Sequence, residues 1–220
     1  MTRKPLLIKI CGVTHRDDAA LAAKLGADRI GIILSPRSQR CVDQTTAKEL
    51  VRVIHDHGAI PVAVFVDEGF AEICAAVAET GVQEVQLHGA GSRAAVNKIA
   101  ERFATILALP SDFDDQLWLP SVLSSKKNRG IKLLYDNSRP GSGQTFAWPA
   151  FAQDAARRSK GWILAGGLSP HNIEEALRLL KPMGVDVMSG VADPRSDRLR
   201  RKDPARMEEF IALARGYQYE

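Results

Sequence analysis

The chain has 220 residues, 45% of them hydrophobic and 25% charged, with a formal net charge of +4. This composition excludes a disordered chain, and no apolar run reaches membrane-spanning length, so no membrane partner is expected. Lys and Arg are scattered, which speaks against a nucleic-acid partner and suits a small anionic substrate.

Taken in order, short apolar runs rich in β-branched residues alternate with longer amphipathic stretches. LLIKIC (6–11), RIGIIL (29–34), IPVAVFV (60–66), VQEVQL (82–87), TILAL (105–109), IKLLYD (131–136), WILAGG (162–167) and GVDVMS (184–189) each have strand length. Their nearly continuous apolar character is that of strands buried on both faces of a parallel sheet. Helices are predicted over 17–25, capped by Thr14, and over 46–57, 70–79, 93–103, 171–180 and 204–215. The last two start at Ser169-Pro170 and Asp203-Pro204, a capping residue followed by proline. The stretches 112–127 and 148–159 are weaker helical candidates. Eight strands, each followed by a helix or helical candidate, fit a doubly wound sheet or a closed barrel, and length and count favour the barrel. No linker composition divides the chain, so the expected fold is an α/β class, single (β/α)8 TIM barrel spanning 1–220.

In that architecture chemistry gathers at the C-terminal ends of the strands. The polar residues found there are Lys9 and Cys11 on strand 1, Arg37 and Arg40 after strand 2, Asp67 after strand 3, and Gln86 and His88 on strand 4. Asp136 ends strand 6, Gly166-Gly167 ends strand 7 and Ser189-Gly190 ends strand 8. Glycines after strands 7 and 8 let backbone N–H groups approach a phosphate closely. Each residue also has a plain structural role. A buried strand cysteine is usually packing, Asp136 could start a turn, His88 could be a satisfied barrel histidine, and Arg40 could be a surface charge. The basic run Arg195–Lys202 holds five cations and one acid and reads as a solvated loop or an attractor of phosphate. Cys11, Cys41 and Cys74 are odd in number and lack a CxxC spacing, so neither a disulfide framework nor a metal site is expected. The start MTRKPLLIKICG lacks a signal-peptide core, which makes the cytoplasm the expected location.

Several motifs in order resemble the phosphoribosylanthranilate isomerase family of tryptophan biosynthesis. They are KICGVT (9–14), GADRIGIILSPRSQRCV (26–42), VAVFVDE (62–68), VQLHG (85–89), GSGQTFAW (141–148), LAGGLSPHNIEEAL (164–177) and GVDVMSGV (184–191). The resemblance implies an Amadori rearrangement of N-(5'-phosphoribosyl)anthranilate to its aminoketose, with no metal or redox cofactor. It implies Cys11 as general base, Asp136 as general acid and Arg40 on the anthranilate carboxylate. Gly166, Gly167, Ser189 and Gly190 would hold the phosphate, and Lys9, His88 and Asp186 would line the substrate site. The chemistry of the types agrees: a thiol needs modest stabilisation of its thiolate to act as a base, and a desolvated carboxyl can stay protonated to act as an acid. Where the family has glutamate after SGV this chain has Ala192-Asp193; GSGQTFAW stands for GSGKTFDW and LLYDN for LLLDT; and the 194–202 loop is longer and more basic. The alternatives are an isomerase for another phosphorylated aminoaldose and a catalytically silent barrel binding a phosphorylated ligand. The oligomeric state stays open between monomer and homodimer.

Overall fold

Alternation of side chains along the strands sets the architecture. The computed structural model describes residues 5–113, 118–124, 130–137, 145–155, 161–197 and 200–217. Eight parallel strands follow one another around a closed barrel, with the first pairing with the last. They are β1 (Leu7–Ile10), β2 (Arg29–Ile33), β3 (Ile60–Val66), β4 (Glu84–His88), β5 (Ala104–Pro110), β6 (Ile131–Asp136), β7 (Trp162–Leu164) and β8 (Gly184–Val187). The helices between them are α1 (Arg16–Lys24), α2 (Gln44–Asp56), α3 (Phe70–Thr80), α4 (Gly89–Ala100), α5 (Trp118–Leu123), α6 (Trp148–Ala155), α7 (Ile173–Leu180) and α8 (Pro204–Gly216). No helix among the described residues is long and apolar enough to cross a membrane.

Every second strand residue faces the helices. Ile8 and Ile10, Ile30 and Ile32, Ala63 and Phe65, Val85 and Leu87, Leu107 and Leu109, and Val185 and Val187 belong to one buried apolar cluster with the helix faces. The other row fills the barrel: Val62, Ile106, Ala108, Leu134, Ile163 and Ala165 pack together inside it. Period-two alternation thus separates a helix-facing apolar row from an inner row that can carry polar groups. Near the bottom, buried Glu84 takes Arg29 at 2.8 Å and Lys132 at 3.1 Å, so its charge is fully matched. Tyr135, the departure within LLYDN, faces outward and meets the rings of Phe151 and Trp162 edge-on. It is a packing residue of the β6–α6 sector.

Three local expectations change. Helix α1 is capped by His15, whose Nδ1 accepts from the Asp17 N–H, while the Thr14 hydroxyl is spent on the Arg200 carbonyl. Ser169-Pro170 opens a turn rather than α7; Asn172 caps that turn, its Oδ1 accepting from the Ser169 N–H, and the helix starts at Ile173. The run at 195–202 is not a solvated loop at its C-terminal end. Arg200 donates to the carbonyls of Gln39 and Cys41, Arg201 pairs with Asp18, and Lys202 is buried. The Asp203-Pro204 start is as read: Asp203 accepts from the N–H groups of Ala205 and Arg206, and Pro204 needs no partner. The 138–144 stretch, which includes all of GSGQ, lies outside the described residues.

Candidate active site

The inner row turns polar at the C-terminal mouth. On β1, Lys9 points inward and its Nζ lies 2.9 Å from Asp186 Oδ1 across the β1–β8 seam, where the two residues are register partners. Both are buried. Cys11 follows two residues later on the same inward row and packs with Ile33, Val64 and Met188. Room for thiol and ammonium comes from β2. A Cβ on Gly31 would stand 2.7 Å from Cys11 Sγ and 3.1 Å from Lys9 Nζ, so any other residue there would displace the thiol.

Electrostatics follow from this crowding. Burial pushes the Cys11 thiol up, the Lys9 ammonium beside it opposes that rise, and Asp186 adds to it. The net direction is upward, in contrast to the modest stabilisation of the thiolate expected from the sequence. Lys9 stays charged: its interactions with Asp186 and Cys11 outweigh its burial and raise it.

On the opposite wall, His88 Nε2 lies 2.7 Å from the Gln86 amide nitrogen. An amide N–H donating there makes the ring the neutral tautomer with its proton on Nδ1. Burial, with Lys9 nearby, pushes His88 down to about 4. Gln86 Oε1 is buried with no hydrogen-bond partner among the described residues. Asp136 closes the ring at the end of β6. Burial pushes its carboxyl up to about 6; the Asn137 N–H, donating at 2.7 Å, pulls against that, and Asp186 adds to it. A carboxyl near 6 can hold and release a proton close to neutral pH.

The two glycine loops sit where the sequence places them. Gly166 and Gly167 both have positive φ, 86° and 68°, and fold the loop after β7 against β6. A Cβ on Gly166 would lie 2.8 Å from the Asn137 nitrogen and 2.9 Å from Asp136 Oδ1. Ser189 and Gly190 begin a short 3₁₀ turn after β8. A Cβ on Gly190 would fall 1.9 Å from the Leu168 carbonyl oxygen, so the two loops interlock through that glycine. Arg40 is half-buried above Gly12; its Nη1 lies 3.8 Å from Met188 Sδ, and its charge interacts with Cys11.

The structure therefore brings Lys9, Cys11 and Asp186 into contact, and sets His88, Asp136 and Arg40 within electrostatic reach of them. Sequence reading missed Gly31 and Lys202. Glycine inside the apolar run RIGIIL was a usable signal of close approach. Lys202 had none, because it sits inside a charge run.

A closed parallel barrel with titratable side chains and glycine loops collected at the C-terminal mouth of its strands defines the class of (β/α)8-barrel proteins, whose chemistry sits at that mouth. The comparisons narrow that class. The family model for N-(5'-phosphoribosyl)anthranilate (PRA) isomerase matches residues 8–210, and the chain belongs to that family. It is 38% identical over 213 residues to the chloroplastic N-(5'-phosphoribosyl)anthranilate isomerase 1 of Arabidopsis thaliana, covering 97% of this chain and 76% of the relative. Among solved structures, phosphoribosyl anthranilate isomerase from Thermus thermophilus superposes with a TM-score of 0.80 at 29% identity, over 94% of this chain and 98% of that one. A phosphoribosyl anthranilate isomerase in complex with reduced 1-(o-carboxyphenylamino)-1-deoxyribulose 5-phosphate superposes at 0.77 with 28% identity, over 96% and 100%.

Proposed function

We propose that this chain isomerises N-(5'-phosphoribosyl)anthranilate, with Asp136 as general acid and Cys11 as general base. The observation that supports this most is the meeting of two titratable groups, a carboxyl and a thiol, on one inner ring beside a buried ammonium. One is a carboxyl raised to about 6 by burial, the other a thiol beside a buried ammonium. Protonated Asp136 delivers its proton to the ribose ring oxygen, and the C1–O bond breaks as the anilino nitrogen forms a Schiff base. The Cys11 thiolate then removes the proton from C2. The resulting enolamine tautomerises, taking a proton at C1 and losing one from the C2 hydroxyl. C1 is reduced as C2 is oxidised, so the rearrangement is redox-balanced within the substrate.

Lys9, held by Asp186, gives the thiolate a counter-charge when it forms. Neutral His88 and Gln86 face the sugar, and the unpaired Gln86 oxygen suits a ribose hydroxyl. Arg40 offers a planar fork to the anthranilate carboxylate. The 166–167 and 189–190 loops offer backbone N–H groups to the phosphate. Every group named comes from one barrel, so the active unit is complete as a monomer or within a homodimer, acting on a diffusible anion in the cytoplasm.

The test is the loss of anthranilate fluorescence as substrate is consumed. Cys11→Ala should cut kcat by roughly a hundredfold or more, as removal of a general base does. Arg40→Ala should mainly raise KM. Full kcat in Cys11→Ala would overturn the base assignment, and no turnover by the unsubstituted protein would overturn the reaction itself.

A further inference from the structure

We propose that Lys202 is the positioning residue of Cys11: its buried ammonium ties the ends of β1 and β8 together behind the base and favours its thiolate. The inference deepens the reading above and rests on Cys11 being the base. Lys202 is 2% exposed. Its Nζ donates to the Cys11 carbonyl at 2.6 Å and to the Met188 carbonyl at 2.9 Å. One side chain thus holds the carbonyl of the thiol residue and that of the methionine packed on the thiol.

The strap between β8 and α8 delivers this lysine. The Lys202 N–H donates to Asp18 Oδ2 at 2.9 Å, and Arg201 pairs with the same carboxylate. An antiparallel bridge joins Ala192 to Lys202, and Asp203 N–H donates to the Val191 carbonyl. Arg200 reaches the carbonyls of Gln39 and Cys41, on either side of Arg40, while Thr14 Oγ1 donates to the Arg200 carbonyl. The basic segment is a clasp between the first, second and last strand ends.

A brace alone needs no charge, because two carbonyls can be satisfied by a neutral donor at a lower desolvation cost. The charge matters for its surroundings. Among the described residues the charged groups that interact with Cys11 are Lys9 on β1, Asp186 on β8, Arg40 after β2 and Lys202 on the strap, and its packing neighbours Ile33, Val64 and Met188 are apolar. Three cations against one carboxylate oppose the rise that burial imposes on the thiol, and Lys202 is one of the three. Lys202 shares the cost: burial pushes it down to about 8, and the Cys11 thiolate, once formed, and Asp186 hold it up against Arg40.

Lys202→Gln keeps a donor for the carbonyls and removes the charge, and Lys202→Met removes both. The readouts are the pH midpoint for iodoacetamide alkylation of Cys11, followed by peptide mass spectrometry, and the pH profile of kcat and KM. Either variant that folds should raise the thiol midpoint by roughly one unit, the lower end of the effect of a nearby opposite charge. It should lower kcat at pH 7 by roughly tenfold with KM little changed, and the deficit should narrow as pH passes the new midpoint. An unmoved midpoint in folded Lys202→Gln, or a kcat deficit of constant size at every pH, overturns the proposal even if unfolding occurs at lower temperature. Failure of the base assignment is read separately, from Cys11→Ala.

Discussion

Asp136→Asn should make the protein more stable while sharply lowering its turnover. The carboxyl is pushed from 3.8 up to about 6 in the folded chain, chiefly by burial. Above pH 6 it is ionised in both states, and the folded state bears the cost of holding the charge in a dry site. At about 1.4 kcal/mol per unit, a rise of about two units corresponds to at most about 3 kcal/mol. Asparagine removes that cost and keeps an oxygen for the Asn137 N–H that Asp136 now accepts at 2.7 Å. The sign is specific. The advantage of the amide is full above about pH 6, shrinks as pH falls through 6 because the folded aspartate takes up its proton, and vanishes below 3.8, where both states are protonated. Thermal unfolding of both proteins at pH 4, 5, 6 and 8 measures it. A gain of even 2 kcal/mol raises Tm by roughly 4–8 °C in a domain of this size. The same protein should lose roughly a hundredfold or more in kcat. An equal or lower Tm at pH 8, or a difference that ignores pH, would refute the idea that burial raises this carboxyl.

Two further outcomes follow from the same ring. His88, pushed down to about 4, resists protonation that the unfolded chain accepts at 6.5. Its contribution is full above pH 6.5 and is lost as pH falls toward 4, by at most about 3 kcal/mol. This slope opposes that of Asp136, so His88→Gln should flatten acid destabilisation and Asp136→Asn should steepen it; parallel unfolding curves for all three proteins would contradict both assignments. Gly31→Ala places a methyl 2.7 Å from Cys11 Sγ and 3.1 Å from Lys9 Nζ. Overpacking there should cost about 1–3 kcal/mol and move the thiol, lowering kcat along with Tm, and a variant with full stability and kcat would show that the seam between β1 and β2 has slack.

Much of this was legible in one dimension because strands alternate. Once IKIC, VQLH and IKLLYD are read as strands, period two alone puts Lys9 with Cys11, Gln86 with His88, and Asp136 on the inner row, and the fold class directs attention to their C-terminal ends. The Asp203-Pro204 helix start is local chemistry and was equally readable. Partnership between distant segments was not. Lys9 meets Asp186 across 177 residues, Lys202 meets Cys11 across 191, and Arg201 meets Asp18 across 183. No local pattern encodes these contacts, which exist only because closing the barrel brings the last strand beside the first. Burial is likewise a property of the assembled mouth. The sequence by itself therefore determined which side chains share a face and which types could act as acid, base and anion holder. Tertiary structure alone decided that the thiol is raised rather than lowered, that Asp136 is the carboxyl kept near neutrality, and that a lysine in a basic run is buried behind Cys11. Desolvation and charge pairing act through space, and the chain acquires that space only when the barrel closes.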